Sequence, residues 1–313
     1  CPGPQGFSAR IHTYVELRHY ENVTTVNFGV SLKTDTGSRM FEIEIGDDIQ
    51  QILVENLNET TENLRSSVPE PFDPGQLYGS YAYVFLPLSS PLAETARALY
   101  NLDDLDVNAN ALDFPDNIEY YFAIFYDDQG NKLVAVKRAQ QFKVTVRARG
   151  RLVRKFDGTL KTIEDDIFKL DKDFDFIIDG DSIHIYRPTS FNLIGEVDQA
   201  VFAAAQANLQ DVSHRIGFVN LESLEEMVQQ SKKAAKYIAS ISMRADLERF
   251  SLERIKEEAR RARVNIVDNA GVLRPTEGEE LAFLQLLDSR RFQHRFTDDE
   301  DEVYEAPNRR RVQ

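Results

Sequence analysis

The chain has 313 residues, 42% of them hydrophobic, and a formal net charge of −15 at pH 7. That is enough apolar material for a large core divided between two domains, and so acidic a surface repels phosphate polymers in general. The single cysteine, Cys1, excludes disulfide frameworks and thiolate metal sites within one chain, and the longest apolar runs, Tyr81–Leu88 and Tyr120–Tyr126, are far too short to span a bilayer.

In chain order, the first region covers residues 1–117 and is expected to be an α+β domain. It opens with strand-like runs at His12–Leu17, Val23–Leu32 and Met40–Ile45, the last alternating Phe41, Ile43 and Ile45 with Glu42 and Glu44. Asp47 is placed to cap a helix through about Arg65, with Ile49, Ile52, Leu53, Leu57 and Leu64 on one side. Pro69, Pro71 and Pro74 make Val68–Gly75 an irregular connector. Tyr81–Leu86 reads as a strand, Ala93–Tyr100 as a short helix, and the acidic, Asn-rich Asn101–Asn117 as a loop or domain junction.

The second region, 118–313, is expected to place hairpins of an antiparallel sheet against C-terminal helices. Ile118–Tyr126 and Lys132–Val136 flank the Gly-containing Asp127–Asn131, and Phe174–Ile178 and Ser182–Tyr186 flank Asp179-Gly180-Asp181; both segments suit hairpin turns. Beyond Pro188 helical periodicity takes over, at Ala200–Val212 and from a Ser223-Leu-Glu-Glu226 capping box to about Met243. Leu247–Arg263 and Glu277–Leu287 continue it before a charged tail. Strands followed by helices without βαβ alternation define an α+β architecture.

Charge reverses abruptly between Lys132 and Lys161. This stretch carries ten basic side chains and a single acid, Asp157, in an otherwise acidic chain. Within it, Lys143-Val-Thr-Val-Arg-Ala-Arg149 alternates with period two, so a strand would turn Val144, Val146 and Ala148 inward and Lys143, Thr145, Arg147 and Arg149 outward together. Same-face residues on a strand lie about 6.6–7 Å apart, close to phosphate spacing along one nucleic-acid strand. Charge runs are most often solvated faces paired with nearby carboxylates; the scarcity of local acids here favours a polyanion instead. The residues assigned to DNA contact are Lys137, Arg138, Lys143, Arg147, Arg149, Arg151, Arg154 and Lys155.

Enzyme chemistry has little support. A restriction-type nuclease needs an acid-x-Lys on a strand to hold Mg²⁺, and Ala135 stands where that acid would precede Lys137. Asp171, Asp173, Asp175, Asp179 and Asp181 could attract a hard cation, but a hairpin turn and its flanking strand account for them. The five His show no metal-ligand spacing, no phosphate-cradling Gly loop is present, and no cofactor is expected. Twenty Phe and twelve Tyr without Trp suggest an aromatic core rather than an exposed stacking platform. Lys232, Lys233 and Lys236 read as a solvated helix face, and Arg260, Arg261 and Arg263 as (i, i+3/i+4) partners of Glu253, Glu257 and Glu258. The start at Cys1-Pro-Gly-Pro reads as processed and carries no secretory signal, so a soluble cytoplasmic protein is expected.

Val134-Ala-Val-Lys-Arg138, the basic strand, Phe168–Ile178, Ile183-His-Ile-Tyr186, Phe191, Phe283–Asp288 and Tyr304–Asn308 follow in an order that resembles the KwaB family of Kiwa anti-phage defence systems. The resemblance covers roughly residues 118–312, and residues 1–117 resemble no family. It implies a homo-oligomeric, cytoplasmic DNA-binding effector. Such an effector would work beneath the inner membrane with a multi-spanning membrane subunit that senses phage, and block replication or expression of phage DNA without cutting it. Two alternatives stay open: a metal-dependent defence nuclease using the Asp171–Asp181 acids, and an interaction module docking on an acidic partner or membrane surface.

Overall fold

Apolar runs with no polar alternation set the centre of the molecule. In the computed structural model, which describes residues 16–18, 22–35, 37–102, 105, 117–139, 153–156, 159–162, 168–294 and 302–308, β5 (Ile118–Asp127) and β6 (Lys132–Arg138) are buried at nearly every position. Continuous burial means that both faces of these strands are covered. They lie inside an eight-stranded sheet ordered β2-β1-β5-β6-β9-β10-β4-β3. Its other strands are β1 (Val23–Thr34), β2 (Gly37–Ile43), β3 (Glu70–Pro71), β4 (Val84–Pro87), β9 (Phe176–Asp179) and β10 (Ser182–Ile185). Every neighbouring pair is antiparallel except the two-residue β3–β4 contact.

One face of the sheet, with Tyr121, Ala123, Phe125, Leu133, Ala135 and Ile177, packs under α1 (Asp47–Arg65) through Leu53, Leu57 and Leu64. The other, with Phe122, Ile124, Val134, Val136, Phe176 and Ile178, packs under α2 (Glu94–Tyr100) and the C-terminal helices. Those are α3 (Pro188–Ile194), α4 (Val197–Ala203), α5 (Ala205–Ile216), α6 (Glu225–Gln230), α7 (Lys232–Ser242), α8 (Leu252–Arg261) and α9 (Glu280–Leu287). Two-stranded pairs complete the described chain: β7 (Val153–Phe156) with β8 (Thr159–Thr162), β11 (Ile266–Asn269) with β12 (Val272–Pro275), and β13 (Arg291–His294) with β14 (Glu302–Glu305). The architecture is α+β, with hairpins and C-terminal helices as the sequence indicates. Because β1 pairs along β5, the expected division at 117/118 runs through one continuous sheet, and both regions contribute to the core beneath α1.

Local chemistry accounts for the turns. The Asp127 carboxylate accepts from the backbone N–H of Gln129 and Asn131, 2.9 and 2.7 Å away, while Gly130 takes φ +79° to close β5 onto β6. Gly180 at φ +58° closes β9 onto β10 with Asp179 opposite Ser182.

Several expectations shift. Gly46, not Asp47, is the N-cap of α1, and Ile52 is 40% exposed while Asn56 and Thr60 take the inner face. Ala200–Val212 splits at Ala204 into α4 and α5, and the helix expected from Ser223 to Met243 splits at Ser231. The Ser223 capping box does not form; Ser231 Oγ instead accepts from Ala234 N–H and starts α7. The basic strand Lys143–Arg149, most of His12–Leu17 and of the Asn101–Asn117 loop, and most of the charged tail lie outside the described residues.

Candidate functional site: a clasped basic excursion

β6 and β9 are antiparallel neighbours, Val136 opposite Phe176, so a turn of a few residues would join them. The chain instead makes an excursion from Ala139 to Asp175 that holds most of the basic stretch. Inserted segments on a rigid scaffold are common places for binding function. Its two ends are held by a buried ion cluster.

That cluster is built from α1 outward. Thr60 Oγ1 accepts from Phe174 N–H at 2.8 Å, Asn56 Nδ2 donates to the Asp171 carbonyl at 2.8 Å, and Tyr121 Oη accepts from Asp171 N–H at 2.9 Å. These bonds fix the segment carrying Asp173 and Asp175. Lys137 Nζ, at the outgoing end, donates to Asp173 Oδ1 at 2.6 Å and lies 3.1 Å from Asp175 Oδ1. Arg138 N–H donates to Asp175 Oδ2 at 2.9 Å. Arg187, just after β10, reaches Asp173 Oδ2 at 2.6 Å and Asp175 Oδ1 at 3.3 Å. Two carboxylates thus face two cations. Such a set is stable as long as it stays complete, because any one member left alone would be a buried, uncompensated charge.

This geometry withdraws Lys137 from the DNA-contacting residues. Its side chain is 1% exposed and its ammonium is committed to the two aspartates, so it anchors the excursion rather than meeting a phosphate. Arg138 is exposed at the end of β6. Arg154 and Lys155 fall on β7, with Arg154 opposite Lys161 and Lys155 opposite Leu160 in the β7–β8 register. Lys143, Arg147, Arg149 and Arg151 lie outside the described residues. Arg138, Ala139 and Arg187 line a groove of about 1660 Å³ that also takes in Lys33 and Glu119 and the helical segment from Ser190 to Ala203. The excursion therefore leaves the sheet at the groove's wall.

Of the acids considered for a metal, Asp171, Asp173, Asp175 and Asp179 are each paired with a cation. Asp171 pairs with Lys169 at 2.5 Å, and Asp179 accepts from Arg18 Nε at 2.6 Å and Arg18 N–H at 2.9 Å. Among the described residues, no group of three or more His, Cys, Asp or Glu is placed to hold a metal ion. Beside Asp179, His184 is fully buried, with Nδ1 2.9 Å from the Tyr83 hydroxyl. Burial pushes its pKa down to about 4 against the opposing pull of Asp179.

The secondary basic groups behave as helix-surface charges. Lys233 pairs with Glu305 and Lys236 with Asp198, while Arg261 bridges Glu257 and Glu258. Two arginines escaped sequence reasoning. Arg187, partly buried, completes the clasp, and Arg290, fully buried, ties Asp288 to the Pro307 carbonyl and reaches Asp73 at 3.5 Å. Their partners are scattered across the chain, so no local pattern marks them. One aromatic side chain outside the core is Tyr81, which is 58% exposed and lies against Tyr186 with ring centroids 5.1 Å apart.

Comparison with known proteins places this α+β chain among anti-phage defence proteins. Residues 116–297 match the model of the family described as Kiwa protein KwaB-like, so more than half of the chain is covered and the chain belongs to that family. Membership implies other Kiwa subunits as partners. No curated protein and no solved structure matches. The matched span opens just before β5 and includes the clasped excursion, although the sheet it belongs to also needs β1–β4. Among the described residues, no helix is long and apolar enough to cross a membrane.

Proposed function

We propose that the chain is a Kiwa effector that binds duplex DNA largely without sequence preference, through the cations of the excursion between β6 and β9. The observation that carries this reading is the concentration of positive charge from β6 into that excursion: ten basic residues and one acid between Lys132 and Lys161, seven of the ten beyond the end of β6, in a chain of net charge −15. An acidic body bearing one cationic segment confines polyanion contact to that segment, and backbone phosphates attract it without reading bases. The contacting set is Arg138, Lys143, Arg147, Arg149, Arg151, Arg154 and Lys155. Binding rather than cleavage would then obstruct phage replication or expression, and a homo-oligomer would raise apparent affinity by engaging several DNA segments at once. A multi-spanning membrane subunit would hold the complex at the inner membrane, as the family resemblance implies.

A salt titration on duplex DNA of unrelated sequences tests the reading. With five or six of these cations on phosphates, log K should fall against log salt with a slope of roughly −4.5 to −5.5 per protomer. A slope near zero, or no binding at low salt, refutes it. Metal-dependent cleavage by the purified protein would support the nuclease alternative.

A further inference from the structure

We propose that Tyr81, backed by Tyr186 and Arg187, is a stacking site for an unpaired nucleobase, so that the protein also grips single-stranded DNA. This rests on the DNA-binding reading and deepens it. The site begins at the clasp. The Arg187 guanidinium is pinned by Asp173 and Asp175 and lies 5.0 Å from the Tyr81 ring centroid and 5.9 Å from that of Tyr186. Its Nη2 also lies 3.4 Å from the Tyr81 hydroxyl. Ala82 N–H donates to the Tyr186 carbonyl at 3.1 Å, which fixes the backbone between the two rings. The result is a tilted aromatic pair, with an interplanar angle of 41°, on a cation whose position is set by buried charge.

Tyr81 is built as a surface residue rather than as core. It is 58% exposed, whereas Tyr83, two residues later, is 5% exposed and bonded to His184. An exposed ring held in place loses little freedom on binding, which favours it as an anchor. Every base has a π-face, so stacking suits recognition that ignores sequence, and a neighbouring arginine adds cation–π attraction. Arg187 also lines the groove from which the basic excursion departs. Arg138, exposed at the end of β6, lines the same groove, so a strand whose phosphate meets Arg138 is brought close to the guanidinium that backs the open ring. Duplex DNA keeps its bases stacked on one another and cannot use such a ring, so the site separates the two forms of DNA.

The test measures binding of the full chain to a fluorescent single-stranded oligothymidine of roughly 16 nucleotides, the upper site size for such grooves, and to a duplex of equal length. Tyr81→Leu removes the π-face and Tyr81→Phe keeps it. The expected result is about a tenfold loss of single-strand affinity for Tyr81→Leu, from the range of stacking energies per base. Tyr81→Phe should bind as the parent does, and duplex affinity should stay within about twofold in both variants. Duplex binding with an unchanged single-strand affinity in Tyr81→Leu overturns the stacking site and leaves the duplex reading standing. An equal loss in Tyr81→Phe overturns it too, by assigning the effect to the hydroxyl. A changed oligomeric state in Tyr81→Leu without loss of single-strand binding marks a protein interface instead. Absence of all DNA binding in the parent chain removes both readings together.

Discussion

Lys137 shows how one side chain can reverse its meaning between sequence and structure. In the sequence it heads a row of cations; in the fold it shares a face with Leu133 and Ala135 and points into the core beneath α1. Its counter-charges, Asp173 and Asp175, lie at the far end of the excursion, where no helical or strand periodicity links them to it. Replacing Lys137 with Met leaves two carboxylates facing Arg187 alone. The cost is expected to be about 3–5 kcal/mol, the usual penalty for breaking a buried pair. A lowered urea midpoint checks this, together with an unchanged slope of log K against log salt in the protein that stays folded. A slope that falls with Lys137→Met would return the residue to the phosphate-contacting set. His184 supplies a pH test. Its folded pKa of about 4 lies below the ordinary value of 6.5, so in the window between them the unfolded chain binds the proton and the folded one does not. Stability should therefore be fully present above about pH 6.5 and decline as pH falls toward 4, by up to about 3 kcal/mol. His184→Gln should flatten that part of the stability–pH curve in chemical denaturation.

Elements that depend on neighbouring residues were legible in the sequence. The bounds expected for α1, about Asp47 to Arg65, coincide with the helix, and both Gly-containing turns close the hairpins expected of them, because an Asp carboxylate or a left-handed Gly fixes such a turn locally. Helix interruptions were not legible. Apolar periodicity runs across Ala204 and Ser231 undisturbed, although the helices that follow them, α5 and α7, are separate and pack against one another. The excursion's clasp was not legible either, since its partners meet only once β6, β9 and the segment after β10 are side by side. The two serines near α6 and α7 make this distinction measurable. Ser231 Oγ caps α7, so Ser231→Ala should cost about 1 kcal/mol of stability. Ser223 caps nothing, so Ser223→Ala should leave the thermal midpoint unchanged. Equal losses in the two variants would restore the capping box.

At the scale of the whole molecule, charge is partitioned by topology. Acidic residues are spread along the chain, whereas ten of the 37 Lys and Arg fall between Lys132 and Lys161, running from β6 into an excursion held at its base by internal ion pairs that neutralise one another. Among the described residues, several basic side chains elsewhere are engaged by acids: Lys236 by Asp198, Arg215 by Asp211 and Arg261 by Glu257 and Glu258. A phosphate polymer is then directed to the excursion both by attraction there and by repulsion from the remainder. Reversing Arg147 and Arg149 to Glu tests that partition, because it alters two outward positions of the expected basic strand without touching the clasp. Duplex affinity should drop by more than about tenfold for every sequence alike, and the salt slope should fall by about 2, one for each lost phosphate contact. Lys232→Glu with Lys233→Glu is the matched reversal on α7, where Lys233 is engaged by Glu305 and by the Tyr237 ring. That variant should lose some stability and little affinity. If the α7 variant loses DNA while the Arg147/Arg149 variant keeps it, the interface lies on the helical layer. The excursion would then be a structural insertion, and the polyanion contact would have to follow the face of α7 instead.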